Sequence, residues 1–226
     1  MSNEAPKIIF EDNHLLVVDK PAGMLAQGDR TGDRTLLDVC RQDLKERYAK
    51  PGNVYLGLVH RLDRPVSGVM LLAKTSKAAG RMSKQFREGT VHKTYLAVVS
   101  GEPSPEAGEL RYWLGAKGGR DGRTPVLSES NPMARESVLS YRVIASDADE
   151  SLVEVRPLTG RRHQIRAQLA AAGHPILGDV KYGSASRLPE RRIALHATRL
   201  EAAHPVSGEA MVFEAEPPEG WPWPRQ

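Results

Sequence analysis

A single cysteine, Cys40, excludes a disulfide framework and a cysteine-based metal site. It lies in the apolar-periodic stretch Leu36-Leu37-Asp38-Val39-Cys40, where a buried structural thiol is expected. Aromatic residues make up only 5% of the chain, which argues against a nucleic-acid surface built mainly on stacking. No apolar run approaches the roughly 18 residues a membrane span needs. Met1-Ser2-Asn3-Glu4 lacks the basic-then-apolar order of a secretion signal. A cytoplasmic chain with no membrane partner is therefore expected. Repeats, long low-complexity segments, nucleotide-binding motifs and metal-ligand spacings are all missing, so neither metal nor cofactor is expected.

What is present is an ordinary globular balance, with 40% hydrophobic and 27% charged residues across 226 positions. The expectation is one domain over 1–226, monomeric, with irregular tails at 1–7 and 217–226. The net charge of +4 says little by itself, but its distribution says more. Between His60 and Lys93 eight Lys/Arg stand against Asp63 and Glu88, and between Arg156 and Arg199 nine stand against Asp179 and Glu190. Such stretches suit a phosphate-facing surface and suit solvated helix faces equally well.

Hydrophobic periodicity and turn residues give the elements. Ile8–Phe10 and Leu15–Val18 read as short strands around a turn, and Lys20-Pro21-Ala22-Gly23 breaks the second. Thr35 caps a helix to about Tyr48, and Ser76 caps a basic helix to Glu88 that Gly89 stops. Strands are expected at Leu56–Val59, Val69–Ala73, Thr94–Val99, Glu109–Leu114, Val138–Ile144, Leu152–Arg156, Leu195–Leu200 and Ala210–Ala215. A further helix is expected from Arg162 to Ala172, and a loop at 117–123. Strands outnumber helices and mostly follow one another through turns. The predicted class is α+β, a largely antiparallel mixed sheet with flanking helices.

Three segments could carry chemistry. In His60-Arg61-Leu62-Asp63-Arg64-Pro65-Val66-Ser67-Gly68 a carboxylate lies between two arginines on a loop fixed by proline and glycine. This suits an ionised nucleophile or base, but by itself a structural ion pair in a tight turn is the commoner explanation. In Leu158-Thr159-Gly160-Arg161-Arg162-His163-Gln164-Ile165-Arg166 a helix start, an anion-attracting place, is followed by Arg162 and Arg166 on one expected face. A solvated basic face explains Arg161 and Arg162 readily; it explains Arg166, beside the apolar stripe, less well. In His92-Lys93-Thr94-Tyr95-Leu96-Ala97-Val98-Val99, Tyr95 taken alone is an ordinary core tyrosine.

Together, HRLDRPVSG, HKTYLAVV, LTGRRHQIR, GHPILGDVKYG and ALHATRL, in that order, closely resemble the RluA family of pseudouridine synthases. The resemblance runs from about Ile8 to Glu214. It departs in having Val66 where the family usually has Thr, and in leaving no room before Ile8 for the small N-terminal RNA-binding domain of many longer relatives. The resemblance implies isomerisation of uridine to pseudouridine in structured RNA (tRNA, rRNA or both) within a central basic cleft, by base flipping and without a cofactor. It makes Asp63 the essential carboxylate, acting on the ribose as nucleophile or base. Tyr95 lies against the uracil ring, and Arg166 is the arginine paired with the aspartate. Arg61 fills the space left by the flipped nucleotide, and Leu195 packs on the uracil. Arg162, His163 and Gln164 join the substrate-binding set. Two other readings fit less well. A non-catalytic RNA clamp would have no need of Asp63 and Tyr95. A glycoside hydrolase would need a partner acid, and only Glu88 is near in sequence.

Overall fold

The computed structural model describes residues 6–29, 31–116 and 122–223. Its first elements are strands β1 (Lys7–Glu11) and β2 (Leu15–Lys20), helix α1 (Leu36–Arg47), strands β3 (Gly57–Leu58) and β4 (Ser67–Ala73), and helix α2 (Ser76–Glu88). Strands β5 (His92–Ser100), β6 (Ala107–Gly115), β7 (Val126–Leu127), β8 (Ala134–Ser146) and β9 (Glu150–Pro157) follow. Helix α3 (Gln164–Ala171) and strands β10 (Leu195–Ala203) and β11 (Ala210–Glu214) complete the order. This is the expected α+β class, and its described strand pairs are antiparallel. The elements fall into two compact units, one drawn from Met1–His92 and Ala197–Pro218, the other from Lys93–His196 and Glu219–Gln226.

In the first unit the strand order is β1-β2-β4-β10, with β3 on β4 and β11 on β10. The runs Leu15-Leu16-Val17-Val18 and Val69-Met70-Leu71-Leu72 do not alternate with polar residues, because both faces of these strands are covered. Leu15, Val17, Val69 and Leu71 pack with Met82 of α2. Leu16, Val18, Met70 and Leu72 pack with Leu36, Cys40 and Leu44 of α1. Helix α1 starts with a capping box: Thr35 Oγ1 accepts from the Asp38 N–H, and the Thr35 N–H donates to the Asp38 carboxylate. Helix α2 is capped by Thr75 rather than Ser76. The Thr75 hydroxyl accepts from the Ala78 N–H, so the cap stands one residue earlier than the sequence suggested. Gly89 ends α2 in the left-handed region, as expected. Cys40 is buried, which pushes its thiol up to about 12 and removes it from reactive chemistry.

In the second unit the order is β5-β9-β8-β6-β7. The expected hairpin of β8 and β9 is present and longer than foreseen. β7 is a two-residue strand that periodicity could not reveal. Helix α3 lies on this sheet through Gln168, whose side-chain amide donates to the carbonyls of Leu110 in β6 and Ser137 in β8. It begins at Gln164, not Arg162. His163 occupies the N-cap position with φ 50°, in the left-handed region. Arg162 therefore precedes the helix and does not share a helical face with Arg166. The expected 117–123 loop falls largely outside the described residues. Among those described, no helix is long and apolar enough to cross a membrane.

One glycine couples this fold to the motif loop. Gly68, the second residue of β4, has φ +115°, and a Cβ there would stand 2.3 Å from the Ala197 carbonyl oxygen. Gly68→Ala should therefore destabilise the protein by about 3 kcal/mol, combining backbone strain with a clash against rigid main chain. A fall in the urea midpoint at unchanged slope would show it.

Candidate active site

Asp63 occupies the first position of a turn closed by the Val66 N–H donating to the Asp63 carbonyl at 3.1 Å. Pro65 sits inside that turn, and the buried Leu62 and Val66 anchor its two ends. The carboxylate-bearing residue is half-buried, whereas Arg61 is exposed. The sequence suggested that an adjacent guanidinium holds the carboxylate ionised. Arg64 instead turns away: its Nε donates to the Gly23 carbonyl at 2.9 Å and its Nη1 pairs with Asp33 at 2.8 Å. The Gly23 N–H in return donates to the Arg64 carbonyl at 2.7 Å. The Pro21–Met24 loop and the Asp63 turn are thus clasped from both sides.

Sequence reasoning missed the residue beneath this clasp. Lys20 lies opposite Gly68 in the β2–β4 register and is fully buried. Its ammonium donates to the carbonyls of Pro21 at 2.9 Å, Met24 at 2.8 Å and Arg64 at 3.4 Å. Burial drives its pKa down from 10.5 to about 7, against the opposing pull of the Asp63 carboxylate. A signal was available: Lys20 has the parity of Leu16 and Val18 on a strand whose two faces are both apolar. A lysine there is either buried or at the strand's end, and it is both.

In the second unit the GRRHQIR segment is organised by Gln164. Its Oε1 accepts from Thr159 Oγ1 at 2.8 Å and from the Arg161 N–H at 2.9 Å, and its Nε2 donates to the Val138 carbonyl at 3.0 Å. Arg166 is 5% exposed, and its Nε and Nη2 bind the two oxygens of Asp179 at 2.7 and 2.8 Å. Such a fork fixes the guanidinium plane as well as its position. The Tyr182 ring lies 5.0 Å from the Arg166 Cζ, and the Tyr182 hydroxyl stands 2.8 Å from His163 Nδ1. Arg162 donates to the Gly122 carbonyl at 3.0 Å. Tyr95 pairs with Val155 between β5 and β9 and is half-buried, as is neighbouring Lys93, whose ammonium pKa burial lowers. Leu195 is buried at the start of β10.

The unit therefore brings His163 and Arg166 into one network with Asp179 and Tyr182, while Arg162 bonds the Gly122 carbonyl. Asp179 and Tyr182 both come from the GDVKYG motif, to which sequence analysis gave no role. Among the described residues, no three His, Cys, Asp or Glu side chains are grouped as a metal site would require.

Comparison with known proteins adds the following. A family model described as RNA pseudouridylate synthase matches residues 14–171. The chain is 36% identical over 213 residues to an uncharacterised RNA pseudouridine synthase, YhcT, of Bacillus subtilis, covering 92% of this chain and 67% of the relative. It is 35% identical over 210 residues to the dual-specificity RNA pseudouridine synthase RluA of Escherichia coli, covering 92% and 91% respectively. Among solved structures, human RNA pseudouridylate synthase domain containing 4 superposes with a TM-score of 0.79 at 27% identity, over 94% of this chain and 89% of that one.

Lys20 generates a pH prediction. With its pKa at about 7 in the fold and 10.5 as the ordinary value, the unfolded chain binds more protons between those limits. Stability from this group must therefore rise with pH through that window, and it is lowest where the buried ammonium is charged. Wild type should gain about 2 kcal/mol on Lys20→Met between pH 7 and pH 9. Urea titrations of both proteins at the two pH values measure the difference directly.

Proposed function

The chain belongs to the RNA pseudouridylate synthase family, and so is an isomerase converting uridine to pseudouridine in RNA; from that premise we propose that it acts on structured tRNA or rRNA with Asp63 as its essential carboxylate. The relatives whose names specify a substrate act on tRNA, on the large ribosomal subunit, or carry dual specificity. The observation that carries the residue assignment is the turn itself. A half-buried carboxylate is held on a short loop by a buried lysine and by an arginine directed elsewhere. That is more fixed structure than a surface turn requires, and it is what a reacting group needs.

In this proposal Asp63 acts on the ribose, the bond from the sugar to the uracil nitrogen breaks, and the base turns and rejoins through carbon. The proton leaving that carbon is matched by one gained at the freed nitrogen, so the net change is an isomerisation and calls for no cofactor. Tyr95 lies against the uracil ring, Leu195 forms part of its apolar packing, and Arg166 provides positive charge for the reacting groups. Reaching a uridine inside folded RNA requires extruding it, at a cost of a few kcal/mol. Arg61 fills the vacated space, and phosphate contacts offset the cost. Lys77, Arg81, Lys84 and Arg87, exposed along α2, suit that grip, together with the exposed Arg161.

Asp63→Asn should fold and bind RNA as wild type does while forming no pseudouridine in tRNA or rRNA transcripts, read by mass spectrometry of nuclease digests. Turnover near the wild-type rate by a well-folded Asp63→Asn protein refutes the assignment. Wild-type activity should survive exhaustive dialysis against EDTA once the RNA is refolded. Loss reversed by one particular metal would overturn the cofactor-free mechanism.

A further inference from the structure

Helix α3 carries Arg166 in its first turn, which its own sequence secures through the Gln164 side chain and not through its N-cap residue. No side chain caps the helix, and the residue at the cap, His163, holds a left-handed conformation that non-glycine residues rarely adopt. A helix start of this kind needs support from outside, and a guanidinium orients reproducibly only if the helix beneath it does. Besides the Gln164 bond to the Val138 carbonyl, support comes from a short segment, the 3-10 turn Val180–Tyr182 and the residue before it. Asp179 takes two N–H groups of Arg166. Tyr182, whose N–H donates to the Asp179 carbonyl at 2.9 Å, places its ring against the same guanidinium and its hydroxyl on His163. The two side chains it touches, His163 at the cap and Arg166 in the first turn, are three positions apart, so Tyr182 bridges the helix start.

The hydroxyl has a second partner. It accepts the N–H of Thr124 at 2.7 Å, and Thr124 is 2% exposed, so this amide needs an acceptor inside the protein. The segment so fixed is basic. It contains Arg123, Arg162 donates to its Gly122 carbonyl, and the Lys181 ammonium lies beside Gly122. Ordering a backbone that gathers three cations pre-arranges a surface for phosphate.

We propose that Tyr182 is a positioning residue with two separable tasks: its ring orients Arg166 for the chemical step, while its hydroxyl, through Thr124 and His163, orders the basic segment that grips RNA. The proposal rests on the pseudouridine synthase reading for its kinetic half and is independent of it for its structural half. Tyr182→Phe keeps the ring and removes the hydroxyl; Tyr182→Leu removes both.

With a tRNA or rRNA transcript as substrate, Tyr182→Phe should keep kcat within about twofold and raise KM about fivefold, the effect of one lost hydrogen bond. Tyr182→Leu should share the KM effect and lose kcat by about tenfold or more, the response to a displaced catalytic group. A merely structural tyrosine would lower the thermal midpoint without dividing kcat from KM between the two variants. Should the leucine variant melt below the assay temperature, Tyr182→Met supplies the same test with a longer side chain. In parallel, amide hydrogen exchange at Thr124 should accelerate about tenfold in Tyr182→Phe, whether or not any RNA is turned over.

Equal kcat for the phenylalanine and leucine variants, with wild type active and Asp63→Asn inactive, overturns the positioning of Arg166 alone. Unchanged Thr124 exchange overturns the role of the hydroxyl. An inactive wild type on both RNA classes would strike at the functional reading, and Thr124 exchange would still decide the structural half.

Discussion

A buried amine with no access to water is the constraint on which the first unit is organised. Lys20 ends a strand whose neighbours on the same face pack against α1, so its stem follows an apolar path and its ammonium arrives where solvent cannot reach. Burying a lone charge costs several kcal/mol unless polar groups converge on it. Here they are main-chain carbonyls, of Pro21, Met24 and Arg64. Satisfying the amine therefore dictates the path of two loops together. The Pro21–Met24 loop must curl back over the strand end, and the turn bearing Asp63 must present a carbonyl to the same point. The Arg64–Gly23 clasp closes the arrangement from the other side.

The second unit solves a similar problem by different means. Arg166 is buried as deeply as a core leucine, and its charge meets a carboxylate fork and an aromatic face. In both units the motif proposed to carry chemistry lies on a short, irregular piece of chain, a four-residue turn in one and a helix start without an N-cap side-chain bond in the other. Each is fixed by polar groups that are themselves buried. A loop can then carry chemistry without the looseness loops usually have, because breaking its position would expose an unpaired charge to an apolar surrounding.

The same economy accounts for the residues left outside. Arg61 and the cations along α2 are exposed, although Arg81 donates to the Pro205 carbonyl and Lys84 pairs with Glu88. That suits groups meeting a phosphate backbone, where sequence-independent attraction matters more than precise placement.

The sequence by itself determined the class of fold, most element positions and the family. Its apolar runs, its caps at Thr35 and Gly89 and its ordered motifs are properties of neighbours in the chain. The misplacements have separate local origins. The start of α3 moved from Arg162 to Gln164 because the Gln164 side chain bonds Thr159 and Arg161 in a way no periodicity encodes. The α2 cap moved from Ser76 to Thr75 because either hydroxyl could have served. Tertiary structure alone decided that Arg64 faces Gly23 and Asp33, that Lys20 lies beneath the Asp63 turn, and that Asp179 and Tyr182 hold Arg166. These are contacts between residues 13 to 44 positions apart, or across loops. Long charged side chains reach several ångströms in any direction. Their partners are fixed only when packing brings distant backbone to where a buried charge must be satisfied.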